Sequence, residues 1–105
     1  MATPGDLTIT IEQTSRADKR MGGRFVARTA EGPDSEMTFT FGVHGALVID
    51  HTGVPRELEG RGIAAALVTH AVEYARAQGL RLKPECSYVV AAFKRHPEWS
   101  DVLAV

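Results

Sequence analysis

Residues 46–85 read ALVIDHTGVPRELEGRGIAAALVTHAVEYARAQGLRLKPE, and this stretch decides the fold. Ala46-Leu47-Val48-Ile49 is apolar at every position, as in a central strand covered on both faces. From Arg61 to Gln78 the apolar residues Ile63, Ala64, Leu67, Val68, Ala71, Tyr74 and Ala75 recur with a helical period. Gly79 stands where a helix end favours a left-handed residue. Leu80 to Glu85 returns to strand character. Strand, helix and strand in direct succession predict a crossover and a parallel pair.

Upstream, the pattern has period two. Leu7-Thr8-Ile9-Thr10-Ile11-Glu12 alternates strictly, and Met37-Thr38-Phe39-Thr40-Phe41 alternates again. A run from Gly23 to Ala30 lies between them. Glu31 to Ser35 and Gly42 to Gly45 carry Gly or Pro and are short enough for hairpins, so the first four strands are expected to be antiparallel neighbours. Gln13 to Gly22 reads as a polar loop, basic at Arg16, Lys19 and Arg20. Downstream, Ser87 is placed to cap a last helix, Tyr88 to Arg95, which stops before Pro97. The fold class is therefore α/β (α+β): a mostly antiparallel mixed sheet in the order strand, strand, strand, strand, helix, strand, helix. Residues 1–6 read as a flexible N-terminus, and 7–105 as a single domain.

Composition narrows the functional classes. The chain has 105 residues, 44% hydrophobic and 24% charged, the balance of a globular domain. Twelve Lys and Arg against 13 Asp and Glu give a net charge of −1, without the basic field that nucleic-acid binding uses. No apolar run is long enough for a membrane span, and the N-terminus shows no secretory pattern, so a cytoplasmic location is expected. A lone Cys86 makes no internal disulfide, and no metal-ligand spacing is present. A monomer or weak homodimer is expected at this size.

Topology locates the chemistry. Ligands of open sheets bind at the carboxyl ends of parallel strands. His51, Thr52, Gly53 and Val54, the loop Glu59-Gly60-Arg61-Gly62-Ile63-Ala64, and Cys86 are expected to converge at that edge. Gly60 and Gly62 let backbone approach a ligand, and the amides of a helix N-terminus suit an anion. Arg61 adds a charge. The alternative is a tight turn that merely starts a helix. Gly60 to Ala65 also fits G-x-G-x-x-A, yet a dinucleotide fold needs several parallel units, and the chain after the loop is too short for them. No Gly-Lys-Ser/Thr follows, so a P-loop does not fit.

Val54-Pro55, then Glu59-Gly60-Arg61-Gly62-Ile63-Ala64-Ala65-Ala66-Leu67-Val68, resembles the acyl-CoA motif of the GNAT N-acetyltransferase superfamily. Together with His51-Thr52, Cys86-x-Tyr88 and Arg95-His96-Pro97-Glu98, it is similar to the minimal single-domain GNAT-like proteins, over about residues 7 to 100. The resemblance implies acetyl-CoA as cosubstrate, with the pyrophosphate on the glycine loop and the pantetheine between splayed fourth and fifth strands. It implies transfer of an acetyl group to an amine, and a protein, peptide or other large substrate suits it, because the helices that cover the acceptor site in larger members have no room between the first two strands. The alternative it leaves is a non-catalytic acyl-CoA-binding or protein-interaction module. One position departs from Q/R-x-x-G-x-G/A: Glu59 stands where Gln or Arg is usual, and a carboxylate beside a pyrophosphate repels it unless it points away.

Pro84 interrupts the fifth strand, which fits a splay there or an edge-facing proline equally. Cys86 precedes a helix N-terminus, which favours thiolate, so it reads as a nucleophile or a group poised at the thioester; the other reading is a small buried residue. His51 is a candidate base, or a histidine satisfied by backbone. By the resemblance, Tyr88 is a proton donor to the leaving thiolate; otherwise it packs in the core. His70 reads as a rim residue, His44 as a turn residue, and His96 with Trp99 as a cluster that docks the C-terminus.

Overall fold

The computed structural model describes residues 6–15, 21–42 and 45–104. The expectations on residues 1–5, on 16–20 of the polar connection and on His44 lie outside them. β1 (Thr8–Ser15), β2 (Met21–Thr29), β3 (Gly32–Phe41) and β4 (Leu47–Gly53) are sequential antiparallel neighbours. A 3-10 turn, Arg56–Leu58, leads to α1 (Ile63–Gln78), β5 (Leu82–Pro84), α2 (Ser87–Arg95) and a 3-10 helix, Pro97–Val102. β5 pairs parallel to β4, giving the sheet order β1-β2-β3-β4-β5.

The core is one layer between the sheet and the helices. Phe25, Met37, Phe39, Leu47, Ile49 and Leu82 from the sheet meet Ile63, Leu67, Val68, Ala71, Val72 and Ala75 of α1, with Val89 and Phe93 of α2. α1 ends as the sequence predicts. Gly79 takes φ 69°, its N–H reaches the Arg76 carbonyl, and the Leu80 N–H reaches the Ala75 carbonyl at 2.8 Å. This 6→1 and 5→2 pair satisfies orphan carbonyls of the last turn.

Four boundaries differ from the sequence reading, each for a physical reason. Glu31 to Ser35 is not all turn: β2 turns at Ala30–Glu31, and β3 starts at Gly32. The register shifts between Ala27↔Ser35 and Thr29↔Gly32, so Pro33 and Asp34 form a bulge, where a proline lacking N–H is tolerated. Gln13 to Ser15 and Met21 to Gly22 belong to β1 and β2, so only residues 16–20 separate the strands. β4 runs on to Gly53. It is not covered on both faces: both helices join the core layer, and half-buried Val48 stands on the other face. β5 is only Leu82–Pro84, and Cys86 is the N-cap of α2 rather than a strand residue, with Ser87 inside the helix.

The helix-free face carries a cross-strand ladder. Arg24 bridges Glu12 (3.0 Å) and Glu36 (2.8 Å), and Arg28 reaches Glu12 (3.0 Å) and Asp34 (3.3 Å). Such half-exposed pairs each add little. Hydrogen bonds from Arg28 and Arg24 hold the Glu12 carboxyl below its usual value, so its contribution is lost as pH falls through that lowered value. The outer edge of β5 is covered by Leu103 and Ala104. Leu103 bridges Leu82, the Ala104 N–H donates to the Leu82 carbonyl at 2.8 Å, and Arg76 clamps Asp101 through two hydrogen bonds of 2.9 Å. No helix among the described residues is long and apolar enough to cross a membrane.

Candidate active site

β4 and β5 part company at one carbonyl. Their register runs Leu47↔Leu82, Val48↔Lys83 and Ile49↔Pro84. Beyond it, the Glu85 and Cys86 amides both donate to the Ile49 carbonyl, each at 2.9 Å. The chain then turns into α2, while β4 continues on β3 alone. Proline at the end of β5 has no N–H to prolong the ladder. The result is a mouth between the end of β4 and the start of α2.

β4 also changes how its side chains face. Thr38 pairs with His51 and Phe39 with Ile49, leaving Asp50 as a bulged extra residue. The bulge puts Asp50 and His51 on the Thr38 face, where the Thr38 hydroxyl donates to Asp50 at 2.5 Å. Thr52, paired with Met37, faces the helices. Its hydroxyl lies 3.6 Å from the Cys86 sulfur across the mouth. His51 is exposed on the helix-free face, and a Cβ on Gly53 would come 3.1 Å from its Nε2. His51 and Cys86 therefore share an edge of the sheet but stand on opposite faces, a correction to the single cluster expected from topology.

The glycine loop comes next. Gly60 and Gly62 both take φ 79°, a left-handed conformation that only glycine adopts freely. Gly62 is the N-cap of α1 and accepts the Ala66 amide at 3.0 Å, leaving the amides of the first turn without helical partners. No side chain caps this end, and no acidic residue stands in its first turn. A 16-residue helix thus presents an uncompensated positive end. Before it lies a cavity of about 240 Å³, lined by Val54, Glu59, Gly60, Gly62, Ile63, Ala64 and Tyr88 among others. Glu59 is exposed and extended at the rim.

Two anchors of this loop escaped the sequence reading. Leu58 is 1% exposed and seats on Gly32, where an added Cβ would come 3.2 Å from three of its carbons. An isolated apolar residue between Pro55 and Gly60 was the available signal. Arg61, expected to point its charge into the cradle, forms a salt bridge with Glu31 of the β2–β3 turn instead. Both anchors tie the loop to one hairpin.

At Cys86, burial pushes the thiol up, but the Thr52 hydroxyl and the backbone amides of Val89, Tyr88 and Thr52 outweigh it. The net direction is below the ordinary thiol value. Tyr88, in the first turn of α2, lines the cavity. His70 packs edge-on against Phe25 at 5.8 Å, and His96 stacks on Trp99 at 4.1 Å with its Nδ1 2.9 Å from Glu98. Among the described residues no group of three or more His, Cys, Asp or Glu side chains could hold a metal ion.

A mouth between diverging parallel strands beside a bare helix N-terminus can hold a chain that carries phosphate at one end. The sequence matches the family model described as GCN5-related N-acetyl-transferase over residues 24–102, from within β2 to the end of the last 3-10 helix. No curated protein matches the chain. The matched stretch takes in β3, the splayed β4 and β5, the glycine loop and both helices, and the chain belongs to the GCN5-related N-acetyltransferase family.

Proposed function

We propose that this protein is an acetyl-CoA-dependent N-acetyltransferase acting on an amine. The observation that carries the reading is the uncapped, left-handed Gly60–Gly62 entry to α1, opening beside the gap between β4 and β5. The amides of Ile63, Ala64 and Ala65 would hold the pyrophosphate, because an anion supplies the partners that the helix end lacks. The pantetheine would lie along His51, Thr52, Gly53 and Val54, where β4 has lost its β5 neighbour, and its amides would pair with backbone groups of this edge. Glu59, at the rim, would be turned to solvent. Arg61 would join the cradle only by leaving Glu31.

In the reaction, a neutral amine attacks the acetyl carbonyl, the C–N bond forms, the C–S bond breaks, and the CoA thiolate leaves with a proton. Backbone amides near the mouth would polarise the carbonyl. Tyr88 would donate the proton to the leaving sulfur. His51, from the helix-free face, would take the proton from the amine. Cys86 either takes the acetyl group first as a thiolate or only positions the thioester. Five residues, 16–20, link β1 to β2, too few for helices over the acceptor side. That favours an amine on a protein or peptide. A single free thiol suits the cytoplasm.

The test is incubation with acetyl-CoA, with and without a panel of amines and lysine peptides, reading free CoA and intact-protein mass. Amine-dependent release of CoA is expected. An acetyl adduct that disappears in Cys86→Ala assigns the covalent route, and release without an adduct assigns direct transfer. Tight binding with no release under any condition would leave the non-catalytic CoA-binding module as the function.

A further inference from the structure

Cys86 is the chain's single cysteine, and the cavity before α1 is lined by Val54 of the β4 end and Tyr88 of α2 but not by Cys86. What reaches the sulfur is Thr52. The β4 bulge is what brings it there. Were β4 to alternate strictly through Ile49, Asp50 and His51, residue 52 would turn to the helix-free face, and the hydroxyl would point away from α2. With the bulge, Thr52 shares the face of Met37 and spans the mouth at 3.6 Å.

We propose that Thr52 is the positioning residue for Cys86, its hydroxyl fixing the sulfur at the mouth between β4 and α2 and donating a hydrogen bond to the thiolate. This assigns a part within the acyl-transfer reading and rests on it for its purpose, but not for its test. The neutral thiol donates to the Thr52 oxygen. On ionisation the hydroxyl rotates and donates to sulfur, so the same contact serves both states. Charged groups near the sulfur do not explain its state. Glu85 pairs with Lys83 at 3.6 Å, and His51 stands on the opposite face of β4. Tyr88 and Glu59 line the cavity before α1, whose first turn holds no acid; nor does that of α2, whose basic residues Lys94 and Arg95 lie in the last turn. The Thr52 hydroxyl, the Thr52 amide and the first-turn amides of α2 remain, and only the hydroxyl can be removed by substitution.

The experiment is the pH profile of Cys86 alkylation by iodoacetamide in the ligand-free protein, with Cys86→Ala as the blank. Thr52→Val keeps the shape and removes the hydroxyl. Its rate midpoint is expected to rise by about one pH unit, with alkylation near neutrality slowed about tenfold. Thr52→Ser, which restores the donor, is expected to return the midpoint to the wild-type value. Thr52→Ala gives the same readout as Thr52→Val without the buried methyl groups, so a poorly folding valine variant does not decide the matter. Coincident profiles for wild type and the folded variants lacking the hydroxyl would overturn the proposal, and so would a serine variant that shifts as far as valine. The assay uses no CoA. A chain that releases no CoA from acetyl-CoA still reports on Thr52, and a flat Thr52 series leaves the transferase reading standing.

Discussion

Gly62→Asp is expected to weaken acetyl-CoA binding at least tenfold, about 1.4 kcal/mol, while Gly62→Asn keeps most of the affinity. Gly62 has φ 79°, where Asn and Asp are the side chains that fit with least strain, so the two variants carry a similar backbone cost. They differ in charge. Asp would bring a carboxylate to the orphan amides of Ile63, Ala64 and Ala65, the groups assigned to the pyrophosphate. The same carboxylate favours the helix dipole, so Gly62→Asp should melt no lower than Gly62→Asn. A loss of binding without a loss of stability separates a filled anion site from a damaged fold. Calorimetric titration of both variants, beside their melting curves, is the check. Equal affinities would remove the anion site from α1.

Leu58→Ala is expected to cost about 2–5 kcal/mol of stability, the range for a buried leucine truncated to alanine. Leu58 is 1% exposed, and its carbons fill the space above Gly32, which has no side chain to close the cavity left behind. In a domain of this size such a loss lowers Tm by about 10 °C or more. The second anchor behaves differently. Arg61 and Glu31 are each roughly two-fifths exposed, and Arg61→Ala should cost no more than about 1 kcal/mol. Urea unfolding of the two variants checks both values. A Leu58→Ala midpoint indistinguishable from wild type would mean that the loop is not anchored at Gly32.

These anchors show where the sequence stops being legible. The strand and helix order can be read because periods two and 3.6 are each sustained over many residues, as in Thr8 to Glu12 and Ile63 to Gln78. The glycine loop can be read because two glycines beside a helix start have few other uses. The bulge at Asp50 cannot, since nothing in Val48-Ile49-Asp50-His51 marks an extra residue. That one residue moves His51 to the face opposite Cys86 and brings Thr52 to the sulfur. The Arg61 partner is equally hidden. Glu31 lies thirty residues upstream and meets it only after the β2–β3 hairpin has formed. Pro33 misled in the other direction. A proline beside a glycine reads as turn, but a bulge accepts it inside a strand.

The proposed function requires the phosphate end of CoA on the start of α1 and its pantetheine in the mouth between β4 and β5. Backbone amide spectra of the labelled protein, titrated with CoA, test it residue by residue. The amides of Gly60 to Ala65 are expected to move together with those of His51 to Val54 and of Cys86 and Ser87, at one common affinity. Those of Arg76, Arg81 and Asp101, which line a separate polar cavity of about 410 Å³ at the other end of α1, are expected to stay in place. Shifts confined to Arg76, Arg81 and Asp101, or a spectrum that CoA leaves unchanged, would contradict this placement.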